Sequence, residues 1–213
     1  MRRRPLVSGA TLVLLSSLIF AGTATARADR QVVPVMWHPQ STLSGPVGPG
    51  AEATLVRRDG GVSFTLRATN LRPGHAYTVW FVVINNPAAC AASPCSGPDV
   101  ILNPATDSQV TYGAGHISGN SGNAGFAGSF KVGSIDGWLP GGGLDDAHSA
   151  QIQLVLNDHG PKLQGFMPGM IQTYRTGCTD ASLPGIFPPS ARADGTPGPN
   201  SCQLYQMAVF SDS

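Results

Sequence analysis

The chain has 213 residues, with 27 Gly and 18 Pro, and its 12% charged content is roughly half the ~25% of an ordinary soluble domain. One Glu (Glu52) and two Lys (Lys131 and Lys162) leave it without the straight-chain polar residues that cover long helices, which excludes a large helical fold or a coiled coil. A hydrophobic content of 41% is enough to build a core and excludes a disordered chain.

Residues 1–28 read as a secretory signal peptide. Arg2, Arg3 and Arg4 precede an apolar run over 12–20, and small residues follow, ending Ala24-Thr25-Ala26-Arg27-Ala28. Basic start, short apolar middle and A-x-A end predict cleavage after Ala26 or Ala28. The run is shorter than the ~20 residues that cross a bilayer, and no later segment is long and apolar enough to span one. Paired arginines also resemble the twin-arginine export signal. Without this segment the basic residues fall from 13 to 9 against 12 acids, so a net charge of +1 becomes −3 (9 − 12). Nucleic acid is therefore not an expected partner. The expected location is secreted, extracellular or periplasmic, with 29–213 forming one domain.

Short apolar runs then alternate with turn-forming clusters. Pro34 restricts a first strand at 32–37 to an edge or a bulge. Residues 53–58 and 62–69 flank Asp59-Gly60-Gly61, a hairpin turn by its glycines. In the second of these, Val62, Phe64, Leu66 and Ala68 alternate with Ser63, Thr65, Arg67 and Thr69, the period of a strand lying on a core. Further strands are expected at 75–85, 111–118, 125–132, 150–156 and 203–210. Glycines at 119, 122, 125 and 128 mark a crowded hairpin. Long loops are expected at about 86–110, 136–148 and 176–202.

Leu71-Arg72-Pro73-Gly74-His75-Ala76-Tyr77 has the L-x-P-G-x-x-Y spacing that resembles the tyrosine corner of Greek-key sandwiches. It implies an all-β antiparallel Greek-key β-sandwich, immunoglobulin-like or superoxide-dismutase-like in architecture, with a small β-barrel as the alternative. The following strand is apolar on both faces, with Tyr77, Val79, Phe81 and Val83 on one and Trp80, Val82 and Ile84 on the other. Either a long loop of the same chain covers the second face, or that face is a homo-oligomer interface or an apolar ligand groove.

Export makes the cysteines readable as disulfides. Of three connectivities, the local pairing Cys90–Cys95 and Cys178–Cys202 is the expected one, worth about 2 and about 3.5 kcal/mol of loop-closure entropy. A zinc site of all four thiolates is the rival, but paired C-x2-C knuckles are missing.

Candidate chemistry is sparse. His148 and His159 flank one strand, with Asp145, Asp146 and Asp158 nearby, and His116 lies on another. Eleven extended residues span about 36 Å, so His148 and His159 cannot share one ion, although each could join ligands from other strands. The secreted Cu/Zn superoxide dismutases place a copper-binding H-x-H strand after a Leu/Pro-Gly turn. Here that strand reads Tyr77-Thr78-Val79-Trp80-Phe81, so the resemblance extends to architecture and not to the copper centre. Gly133-Ser134-Ile135-Asp136-Gly137 has its serine one place too early for a nucleophile elbow. Asp136 and Trp138, with Trp80, could stack on a sugar or anchor a partner, or Trp138 could tuck over the end of the sandwich as a core plug. Asp145-Asp146 could take Ca²⁺, or be solvated loop acids or a helix cap. The expected function is a non-catalytic extracellular binding or structural module for an unknown ligand or protein. The alternative is a metal-dependent or hydrolytic secreted enzyme using His116, His148, His159 and nearby Asp residues, with a transition metal or Ca²⁺ as the possible cofactor.

Overall fold

The alternating stretches of the sequence become two antiparallel sheets in the computed structural model, which describes residues 28–211. The predicted leader, apart from Ala28, lies outside the described residues. Among those described, the strands are β1 (Ala28–Pro34), β2 (Met36–Trp37), β3 (Glu52–Arg58), β4 (Gly61–Ala68), β5 (His75–Ile84) and β6 (Ser108–Ile117). They continue with β7 (Ala124–Lys131), β8 (Gly133–Ser134), β9 (Gly143–Leu144), β10 (Gln151–Pro161) and β11 (Gln203–Phe210). Two short helices, α1 (Gly97–Leu102) and α2 (Pro189–Ala193), interrupt the long connections.

The first sheet has the order β1-β3-β4-β7 and the second β2-β11-β10-β5-β6, while β8 and β9 form a separate small ribbon. The chain crosses between sheets after β4 and again after β6. This gives the spatial order β4-β7-β6-β5, a Greek key that straddles both layers. The two sheets remain open at their edges and pack as a sandwich. Between them lies a core that includes Leu55, Phe64, Leu66, Phe81, Leu154 and Phe210. Phe81 stacks on Phe64 and Phe130, with ring centroids 6.0 and 4.1 Å away. Gly128 permits this close approach, since a Cβ there would sit 2.6 Å from the Phe64 ring.

Two elements differ from expectation. The first strand is broken in two, because fully buried Val35 turns the chain from the first sheet into the second just after Pro34. The strand expected at 150–156 runs on to Pro161. Its extension carries Asn157, Asp158 and His159, all at most 1% exposed, and their polarity hides a strand from any hydrophobic pattern.

The tyrosine corner is formed. The Arg72 amide donates to the Tyr77 hydroxyl at 2.9 Å, and that hydroxyl faces the Asp158 carboxylate at 3.4 Å. Asp158, on β10, also holds His75 Nδ1 at 2.9 Å, the Gly160 amide at 2.8 Å and the Arg72 guanidinium at 3.5 Å. One buried carboxylate thus secures the crossover from β4 to β5. At the opposite end, fully buried Arg57 donates to the carbonyls of Ala147, Ala150 and Ser211 at 2.6, 2.9 and 2.7 Å.

Cys90 pairs with Cys95 and Cys178 with Cys202. Both bridges sit in the layer that covers the second sheet. Trp80, Val82 and Ile84 are buried beneath residues of that layer, including Cys95, Val100, Trp138, Tyr174, Leu183 and Ala191. The face suggested as an interface between copies is therefore largely covered by the chain itself, and Trp80, Val82 and Ile84 are at most 5% exposed.

Tyr77→Phe should preserve the fold and lower its stability by about 2 kcal/mol, since the part-buried Arg72 amide and the buried Asp158 carboxylate each lose a partner. In a protein of this size that corresponds to a melting temperature lower by about 4–8 °C. A thermal unfolding scan with no shift would show that the corner is dispensable.

Candidate functional site

The covering layer is incomplete, and it leaves an apolar cavity of about 620 Å³ over the outer face of the second sheet. Its floor follows from strand register. Residues on one face of neighbouring strands align across a sheet, and two such rows form here. Met36, Met207, Val155 and Trp80 make one row, in which each residue pairs with the next. Val209, Gln153, Val82 and Val110 make the second. Pro94, Cys95, Pro98, Val100 and Ile101 wall one side, and Trp138, Tyr174, Ile186 and Phe187 the other. Trp37 and His38 stand at the β2 end, where cover is thinnest.

Each wall is held by specific local structure. α1 begins with a capping box: Ser96 Oγ accepts from the Asp99 amide while the Ser96 amide donates to Asp99 Oδ2 at 2.8 Å. Hydrogen bonds from Ser96 and from the Ala91 amide hold the Asp99 carboxyl down to about 2. On the other side the Trp138 amide donates to the Val110 carbonyl, and Gln109 Nε2 donates to the carbonyls of Leu139 and Gly141. The aromatic rings pack on one another. Trp80 and Trp138 lie 4.2 Å apart, Trp138 and Tyr174 4.8 Å, and Tyr174 and Phe187 5.2 Å.

None of the lining residues is Asp, Glu, Lys or Arg. His38 is the one imidazole among them, and burial lowers its pKa to about 4. Its Nδ1 accepts from the Gln40 amide at 3.2 Å, which places the proton of the neutral ring on Nε2. Gln153, 5% exposed, donates from Nε2 to the Cys95 carbonyl at 2.8 Å. Its Oε1 takes no hydrogen bond from any described residue.

The residues singled out in the sequence are distributed as follows. Trp80 and Trp138 are brought together at the cavity. Trp138 is only 9% exposed, so the exposed platform suggested by its Gly/Pro-rich setting does not exist; the loop folds back because its backbone continues the pairing of β6. Asp136 remains at the surface, where its carbonyl accepts from Thr111. His116 is exposed on edge strand β6, beside Phe126 at 6.2 Å. His148 lies in the turn just before β10, with Nε2 3.4 Å from Asp59 in the β3–β4 turn. Asp146 accepts from the His148 amide, and this together with a Ser149 hydrogen bond holds its carboxyl below the ordinary range. Burial and the neighbouring Asp107 raise that of Asp145.

His159, at the far end of β10, is fully buried in a chain of hydrogen bonds. The Trp80 indole N–H donates to Thr78 Oγ1 at 3.0 Å, and the Thr78 hydroxyl donates to His159 Nε2 at 2.8 Å. His159 Nδ1–H donates to the Thr176 carbonyl at 3.0 Å, which fixes the neutral tautomer. Burial lowers its pKa to about 4. Among the described residues, one set of three His, Cys, Asp or Glu brings its ligand atoms within 4.8 Å of one another: His159, Cys178 and Cys202. Both cysteines are bonded to each other. Among the described residues, His116, His148 with Asp145 and Asp146, and His159 thus lie in separate places and do not converge on one site.

Sequence reasoning missed Gln153, His38, Tyr174 and Phe187. Gln153 alone left a trace, since it shares a strand face with apolar Val155. No known protein family matches the chain, and no characterised protein or solved structure resembles it significantly.

A histidine titrating at 6.5 when unfolded and near 4 when folded binds its proton more readily in the unfolded chain between those values. Stability should accordingly fall as pH drops from about 6.5 to about 4, by on the order of 3 kcal/mol for His159. His38 acts in the same direction. Denaturant midpoints at pH 7 and pH 4 should differ less in His159→Gln than in the parent protein; equal differences would remove His159 as the cause.

Proposed function

We propose that this protein is an exported, non-catalytic binding module whose ligand occupies the cavity on the outer face of the second sheet. The observation that carries the reading is the cavity itself: about 620 Å³, floored by two cross-strand rows, walled by packed aromatic rings and lined by no ionised residue. Its volume is within the range that encloses a small organic molecule, and its lining is mainly apolar with few polar groups, as in known ligand pockets. The basic, apolar and small-residue parts of residues 1–28, with the two disulfides, support export. Hydrolysis or metal catalysis would need titratable groups converging in one concavity. The separation of His116, His148 and His159 weighs against that alternative.

Titration with N-phenyl-1-naphthylamine, an uncharged dye that brightens in apolar surroundings, tests the reading. Saturable binding at one site per chain is expected. Met207→Trp, at a half-buried position on the cavity floor, should weaken it at least tenfold by filling the space. Absence of saturable binding, or undiminished binding by Met207→Trp, would refute the proposal. A stoichiometric transition metal in protein purified from its natural compartment would instead favour a metalloenzyme.

A further inference from the structure

The lining of the cavity restricts the chemistry of what it can hold. A quaternary ammonium group is held most strongly in a cage of open aromatic faces. Here Trp80, Trp138, Tyr174 and Phe187 fill that space with one another, at centroid separations of 4.2 to 5.6 Å. An anion would need a cationic partner, and the cavity has none at neutral pH, because burial keeps the His38 ring uncharged. A charge of either sign would be desolvated without compensation.

A pure hydrocarbon fits poorly for a different reason. Gln153 lies in the middle of the floor, between Val209 and Val82. Its amide is held in one orientation by the bond from Nε2 to the Cys95 carbonyl, and Cys95 is tied to Cys90. Oε1 is thus a fixed acceptor in an apolar surface, on a residue 95% shielded from solvent, with no partner among the described residues. Covering it with an apolar group strands a buried carbonyl oxygen, whereas a ligand N–H or O–H at that place restores the missing bond.

We infer that the cavity takes an uncharged, mainly apolar molecule bearing one hydrogen-bond donor, a hydroxyl or an N–H, seated on Gln153 Oε1. This rests on the cavity being the ligand site. The remainder of such a molecule lies along the Val155–Met207 row and against the edges of the aromatic wall.

Three probes of one size separate the possibilities by calorimetry at pH 7: 2-naphthol, 2-methoxynaphthalene and 2-naphthoate. The first offers a donor, the second lacks it and the third is an anion. 2-Naphthol should bind about tenfold more tightly than 2-methoxynaphthalene, the usual effect of one buried hydrogen bond, and 2-naphthoate should bind least. Gln153→Met should bring the first two together while retaining affinity for 2-methoxynaphthalene. Equal binding of those two by the parent protein, or preference for 2-naphthoate, overturns the donor requirement and leaves the cavity as a binding site. If folded parent protein binds none of the three, both the requirement and the cavity reading fall. The comparison within the parent protein decides the matter even if Gln153→Met does not fold.

Discussion

The second sheet is apolar on both faces, and the rest of the molecule is arranged around that fact. Its inner face is covered by the first sheet in the ordinary manner of a sandwich. The outer face has no third sheet and no long helix to cover it. Three irregular stretches do so instead, running through 90–104, 138–139 and 174–202. Such segments lack the continuous ladders of a sheet or long helix, although 174–202 ties itself together through isolated backbone bonds such as Arg175 N–H to Asp194 and Gly177 N–H to Thr196. Ordering each residue costs about 1–2 kcal/mol of chain entropy. The two cystines, the α1 capping box and the Gln109 clamp supply what regular secondary structure would otherwise provide. His159 belongs to the same arrangement. Its ring joins β5 and β10 to the carbonyl of Thr176 and so locks the cover to the sheet beneath.

The cavity follows from this construction. Cover is thick over β5 and β10 and thin toward β2 and β11, where Met36, Met207 and Val209 keep partial exposure. An irregular layer fastened at a few points leaves a stable concavity where a packed helix would have left none. Since floor and walls are fixed by strand pairing, cystine and side-chain clamps, the site is formed before any ligand arrives. A ligand of the proposed kind would therefore meet little ordering penalty.

Much of the sandwich was visible in the sequence because one face of β3 and β4 alternates cleanly and glycine marks their turn. The tyrosine corner was visible because its spacing is local, and so were both cystines. The end of β10 was hidden. Asp158 and His159 look like part of a polar loop until Tyr77, Arg72, Thr78 and Thr176 arrive from elsewhere to satisfy them, and Asn157 leans on His159 beside it. Trp138 could be read two ways, as a surface platform or as a plug, because Gly and Pro neighbours indicate a loop without showing where the loop lies; the structure buries it. The cavity was the least legible feature, because its lining is drawn from residues 36 to 209 and no short stretch of sequence holds enough of it.

The position of β11 bears on how the chain is made. Although β11 follows the other strands of the second sheet in chain order, it lies inside that sheet, between β2 and β10. During vectorial synthesis, Met36 and Trp37 wait without a neighbouring strand while β5, β6 and β10 are already able to associate. The buried guanidinium of Arg57 likewise waits for the Ser211 carbonyl, 154 positions downstream. Closure of this layer is thus a long-range event, since β2 gains its partner strand only from β11 and Arg57 one of its acceptors from Ser211.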